Sequence, residues 1–219
     1  MLDLFKTPQR LPPEERIDGP NVYVRPPQDE DWQAWSDLRE RSRAFLVPWE
    51  PTWPVDSLTR HAYRRRLRHY AEEWQSGVGY AFFIFSAADD GLRGGVTLSN
   101  VRRGVAQTGT LGYWVGEPFA RQGIMTEGLG CVIEYAFDRL HLHRLEAACL
   151  PRNAASQGVL RKCGFREEGF APKYLRINGI WEDHLLFALL AEEARSLRRA
   201  RARADDAETL HPATEPRGG

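Results

Sequence analysis

Residues 111–127, LGYWVGEPFARQGIMTE, constrain the fold more than any other segment: a β-rich run passes through a tight glycine turn straight into an amphipathic helix. The first amides of a helix have no internal acceptor, and the helix dipole concentrates partial positive charge beside them. Such a turn suits an anion, a pyrophosphate above all. Gly123 permits close backbone approach, Arg121 brings charge and Thr126 a hydroxyl. The spacing is neither a Walker sequence nor GxGxxG, which argues against an NTP or a dinucleotide. Taken alone, the turn is also compatible with an ordinary strand-to-helix connection.

The chain around it alternates in type. Residues 21–25 read as a short strand stopped by Pro26. Residues 29–45 carry Trp32, Trp35, Leu38 and Phe45 at near-helical spacing. Asp56 is the expected cap of a second helix with Leu58, Ala62, Leu67, Tyr70, Ala71 and Trp74 inward and Gly77 at its end. The basic run Arg64, Arg65, Arg66 and Arg68 then falls on its wet side. Residues 80–85, 95–101 and 108–115 predict an antiparallel meander. A helix over 124–140, a strand over 144–150, a short helix over 153–163 and a strand over 165–170 follow. Asn178-Gly179 is a hairpin signal ahead of a strand over 180–190. The sum is an α+β sheet with helices on its faces. Residues 1–20, rich in proline and charge, read as an arm and 21–190 as the domain. Residues 191–219 read as a charged helical extension, with Arg198, Arg199, Arg201 and Arg203 solvated, running into a disordered tail.

Composition removes several classes. The 30 Lys and Arg equal the 30 Asp and Glu, so bulk charge makes no case for a nucleic-acid site or a membrane surface. No apolar run is long enough to span a bilayer, and the first ten residues lack a signal-peptide core. Cys131, Cys149 and Cys163 are an odd number without metal spacing. They read as small buried apolar residues in a reducing compartment, which points to the cytoplasm. His141 and His143 alternate but have no Cys or carboxylate cluster beside them, so they read as turn and packing residues, and no metal is expected. His184 reads as a hydrogen-bonded core histidine.

Asn153-Ala154-Ala155-Ser156 opens a helix directly after a strand, and Arg161-Lys162-Cys163-Gly164-Phe165 closes it. With the glycine turn, this resembles the GNAT superfamily of N-acetyltransferases, whose pyrophosphate loop reads Q/R-x-x-G-x-G/A. Its second signature is an Asn-led helix ending in Gly-Phe. Ala120 stands where Gln or Arg is usual and Met125 where Gly or Ala is usual, while the middle glycine, Gly123, is kept. More closely, FLVPWEP at 45–51, SNV at 99–101, LGY at 111–113, QGIMTE at 122–127, Gly164-Phe165 and NGIWEDH at 178–184 resemble the RimJ-type ribosomal-protein alanine N-acetyltransferases. The resemblance spans about residues 20–190.

The resemblance implies a GNAT fold, acetyl-CoA as cosubstrate and no metal. The loop residues Arg121, Gln122, Gly123, Ile124, Met125 and Thr126 would hold the cofactor, with the pantetheine between the strand ending at Val115 and the strand over 144–150. A backbone N–H near Val115 would stabilise the tetrahedral oxyanion. The amine would attack directly in a ternary complex. Asn153 and Ser156 would face the thiol. Leu160 stands where many members place a tyrosine acid, so Ser156 becomes the candidate proton donor, the alternative being a helix-start serine bonding its own first turn. Glu50, among Pro48, Trp49, Pro51 and Trp53, is the candidate base in an apolar setting, the alternative being a loop carboxylate in a salt bridge. Tyr113 and Tyr174 are further polar groups expected near the substrate, the alternative for each being a core or rim aromatic, and Asp183 is expected to order the hairpin. The acceptor implied is the N-terminal amine of a protein, a ribosomal protein in this branch. Rivals are a small amine, an antibiotic or a lysine, or a non-catalytic acyl-CoA-binding or ribosome-assembly module on the same scaffold.

Overall fold

In the computed structural model, which describes residues 11, 12 and 15–210, the strand-forming runs assemble into one sheet. Its strands are β1 (Ile17–Asp18), β2 (Val22–Arg25), β3 (Tyr80–Ser86), β4 (Leu92–Arg102), β5 (Thr108–Val115), β6 (Arg144–Cys149), β7 (Arg166–Ile177) and β8 (Ile180–Leu190). They lie in the order β1-β2-β3-β4-β5-β6-β8-β7. Every neighbouring pair is antiparallel except β5 and β6, which run parallel. The helices are α1 (Trp32–Arg41), α2 (Arg43–Leu46), α3 (Arg60–Ser76), α4 (Ile124–Glu134), α5 (Ala154–Lys162) and α6 (Ala191–Leu210). The connection from β5 to β6 needs a crossover, and α4 supplies it.

Each face of the sheet buries its own core. On one, Phe82, Ile84, Val96 and Leu98 pack with Leu129, Val132 and Phe137 of the crossover and with Leu160 of α5. Gly128 lets α4 lie close, since a Cβ there would sit 2.5 Å from Ile84 Cδ1. On the other face, Tyr23, Phe83 and Phe85 pack with Trp35 and Leu38 of α1 and Tyr63 of α3.

Several local expectations are corrected. The single helix expected over 29–45 is broken at Ser42, which leaves helical geometry (φ −97°, ψ 8°). Ser42 is fully buried, and its hydroxyl oxygen accepts the Glu117 N–H at 2.9 Å, so a distant segment rather than local propensity sets the break. Asp56 does not cap α3. Thr59 does, its Oγ1 accepting the Ala62 N–H at 3.2 Å, while the Asp56 carboxylate takes Arg65 at 2.6 Å. The helix expected to reach residue 140 widens after Glu134 into a π-helical turn, Tyr135–Arg139. The strand expected over 165–170 continues to Ile177 through a bulge between Ala171 and Leu175. Asp183 orders that bulge and not the hairpin tip, because its Oδ1 accepts the N–H of Lys173 (φ 46°) at 2.8 Å. The tip itself is made by Asn178 and Gly179, both left-handed at φ 43° and 85°.

Arg64 and Arg65 lie on the exposed side of α3, where they pair with Asp29 and Asp56. Cys131 and Cys149 are buried free thiols, and burial pushes the Cys131 thiol up to about 11. His184 is 2% exposed, with Nδ1 3.0 Å from the Glu182 carbonyl oxygen. The arm expected over 1–20 lies partly, and the tail expected over 211–219 wholly, outside the described residues, as does the Arg201 side chain. Among the described residues no helix is long and apolar enough to cross a membrane, and no His/Cys/Asp/Glu group is placed to hold a metal.

Candidate functional site

β5 and β6 pair only over residues 108–111 and 144–147. Beyond, β5 stays with β4 (Gly95 opposite Trp114, Gly94 opposite Val115), while β6 stays with β8 (Ala148 opposite Leu186, Cys149 opposite Leu185). The two strands part, and a gap opens between them. Gly116 N–H bonds back to the Arg93 carbonyl at 2.9 Å. Successive N–H groups in an antiparallel pair point to opposite edges, so the Val115 N–H faces the gap.

The chain leaves β5 through one 3-10 turn, Glu117–Phe119. Gly116 is needed there, because a Cβ would lie 2.4 Å from Leu38 Cδ1. Arg121 and Gly123 then take left-handed φ values of 63° and 81° and swing the chain into α4. Arg121, Gln122 and Gly123 are exposed and Ile124 and Thr126 half-buried, so the start of the helix presents its unpaired amides outward. Gln122 folds back, its Nε2 donating to the Pro118 carbonyl at 2.9 Å. Met125 points into the core at 7% exposure, which explains how a large side chain fits this position without covering the loop. Glu127 straps the first turn of α4 to the sheet: Oε1 accepts the N–H groups of Asn21 (2.5 Å) and Val22 (3.0 Å).

Asn153 caps α5 across the gap, its Oδ1 accepting the Ser156 N–H at 3.0 Å. The first turn is thus closed by Asn153, and the Ser156 hydroxyl is turned elsewhere, to 2.8 Å from the Tyr113 hydroxyl. Burial pushes the Tyr113 phenol up, and the Cys149 thiol beside Ser156 likewise. Leu160, one turn further along α5, is fully buried.

Trp114 points to the other face of the sheet and floors a cleft of about 470 Å³ with Gly95, Thr97 and Gly112. Arg39, Glu50, Trp53, Arg66 and Tyr70 are among its walls. The Arg39 guanidinium lies 4.3 Å from the ring centre of Trp53 and 4.8 Å from that of Trp114. It donates through Nη1 to Glu50 Oε1 (2.8 Å) and through Nη2 to Oε2 (2.5 Å), and Trp53 Nε1 donates to Oε2 at 2.7 Å. The apolar setting expected of Glu50 is therefore absent: the carboxylate is ion-paired, because Arg39 on α1 turns into this loop. The β7–β8 tip rests on the same loop, Asn178 N–H donating to the Glu50 carbonyl at 2.9 Å. Tyr174 packs edge-on against His184, outside the cleft lining. Sequence reasoning missed Arg39. Its position after the inward Leu38, on the buried side of an amphipathic helix, was the one available signal.

Residues 21–166 match a family model described as an acetyltransferase (GNAT) domain. The "Probable N-acetyltransferase YjcK" of Bacillus subtilis is 40% identical over 174 residues, 80% of this chain and 96% of its own. The ribosomal protein uS5-alanine N-acetyltransferase of Escherichia coli is 33% identical over 177 residues, 81% of this chain and 91% of its own. Among solved structures, Mycobacterium smegmatis RimJ in complex with CoA-disulfide superposes with a TM-score of 0.77 at 33% identity, covering 85% of this chain and 93% of that one.

Proposed function

The chain belongs to the GNAT acetyltransferase family, and on that premise we propose that it transfers the acetyl group of acetyl-CoA to the N-terminal α-amine of a protein, a ribosomal protein by analogy with its named relatives. The observation that carries this reading is the gap between β5 and β6. It opens beside the outward amides of α4 on one side and Ser156 on the other. In this reading the amides around Gln122, Gly123, Ile124, Met125 and Thr126, with the Arg121 side chain, hold the diphosphate of the cofactor. The pantetheine arm runs into the gap, past Asn153 at the start of α5, and the Val115 N–H takes the thioester oxygen as it becomes an oxyanion.

The amine enters from the cleft under Trp114 and attacks the carbonyl directly. An α-amine has a pKa of about 7.7–8.0 and lysine about 10.4, so near pH 7.5 about a third of the former is neutral and about one in a thousand of the latter. Little base strength is required. Glu50 Oε1 accepts one hydrogen bond and Oε2 two, which leaves Oε1 a lone pair for a water carrying away the amine's proton. When the C–S bond breaks, Ser156 gives its hydroxyl proton to the departing thiolate.

The test is to incubate the protein with acetyl-CoA and a panel of amines, then locate the added mass. The panel holds peptides with free N-terminal alanine or serine, an N-terminally blocked lysine peptide, polyamines and aminoglycosides. Acetyl on the N-terminal nitrogen of the free peptides is expected. Acetyl on lysine, polyamine or aminoglycoside alone would overturn the acceptor assignment, and binding of acetyl-CoA without turnover on any amine would overturn the enzyme reading.

A further inference from the structure

We propose that Tyr113 is a positioning residue for the thiol proton donor: its phenol donates to Ser156 Oγ and so leaves the serine's own proton aimed at the cofactor. The inference rests on Ser156 acting as the donor, and adds what makes it one. Tyr113 sits opposite Val96 on β5, on the face that packs against α4 and α5. Its hydroxyl oxygen has two neighbours, Ser156 Oγ at 2.8 Å and the Ser156 carbonyl oxygen at 3.3 Å. One phenol proton serves one good acceptor, and only the shorter contact lies in the normal O–H···O range.

The serine is free to respond because its backbone N–H is already held by Asn153 Oδ1. A serine hydroxyl both donates and accepts. With Tyr113 filling the accepting side, the donating side is left to a sulfur: the Cys149 thiol, which lies within hydrogen-bond reach of it, until a cofactor thiol enters the gap. Hydrogen bonds in such a row polarise one another, so the phenol makes the serine a better donor. The titratable groups around the pair are Cys149 and Cys163, and burial is the main cause that pushes the Tyr113 phenol up. The phenol therefore supplies a hydrogen bond and keeps its proton. Leu160 offers no alternative donor from the same helix, being apolar and fully buried.

The proton balance closes. The tetrahedral intermediate collapses, the C–S bond breaks and the sulfur takes the electron pair. The Ser156 proton passes to sulfur, giving the free thiol. Serine is reprotonated from water that has received the proton lost by the amine.

The experiment measures thiol released from acetyl-CoA, with a tetrapeptide beginning in alanine, for the unaltered protein, Tyr113→Phe, Ser156→Ala and the double variant. Tyr113→Phe is expected to lower kcat about ten-fold, the loss of one hydrogen bond of about 1.4 kcal/mol, with the KM for acetyl-CoA unchanged. In the Ser156→Ala background the same change is expected to do nothing further, since Tyr113 acts only through that hydroxyl. An unchanged kcat in Tyr113→Phe, or an equal loss in both backgrounds, would overturn the inference. Full turnover by Ser156→Ala would instead remove the donor reading beneath it, and no turnover by the unaltered protein would remove the acceptor reading.

Discussion

Tyr113 and Trp114 are adjacent in the chain and serve opposite faces of the sheet. Around Tyr113 the surroundings are neutral and short-reaching: a serine hydroxyl, two thiols and a capped helix. Around Trp114 they are charged and aromatic, with Arg39 held over two indole rings and locked to Glu50. The difference separates two tasks. On the proposed function, the first face would hold a fixed cofactor with backbone amides and hydroxyls, while the second, with side chains from α1, the 50–54 loop and α3, would meet the acceptor. β5 is the strand both faces share, and in that reading its parting from β6 would let the two reactants meet.

Breaking the charged face should have the largest effect. Arg39→Ala leaves the mostly buried Glu50 carboxylate without its partner, and a loss of about 3 kcal/mol in urea unfolding is expected. If the faces are separate, the acceptor KM rises in that variant while the dissociation constant for acetyl-CoA, measured by calorimetry, stays put. A matching loss of cofactor affinity would show that the faces are one unit. The converse is Gly123→Val. A β-branched residue at φ 81° is strained by about 1–2 kcal/mol, although the space beside the Cβ is open. Acetyl-CoA is expected to bind roughly ten-fold more weakly with the acceptor KM unchanged. The smallest effect is expected from Asn153→Ala, which removes the cap of α5 at a cost of about 1 kcal/mol. It sharpens the comparison because it frees the Ser156 backbone N–H without touching the cleft. kcat should fall and the acceptor KM should hold, and a changed acceptor KM would deny the division.

Much of the local structure of the proposed cofactor face was legible in the sequence, since its signals are local. A glycine at a left-handed position, an asparagine capping a helix and the end of β5 before it are each written within a few residues. The same holds for the type of the strands and for the Asn178-Gly179 turn. The misreadings were of another kind. Asp56 was a reasonable cap by residue type, but Thr59 lies closer to the first turn and Arg65 competes for the acid. Ser42 gave no sign of breaking a helix, because its partner is the N–H of Glu117. Glu50 looked apolar from its proline and tryptophan neighbours, and only the inward turn of α1 shows that its charge is matched.

By itself, the sequence determined the elements, the glycine turn into α4 and the capped helix across from it, because backbone angle, capping and hydrophobic period depend on residues a few places apart. Only the tertiary structure decided which groups those elements bring together. Glu127 reaches Asn21 across 106 positions, and Tyr113 reaches Ser156 across 43. Such contacts exist only once the strands have paired in register and the two cores have closed, so no local rule can state them.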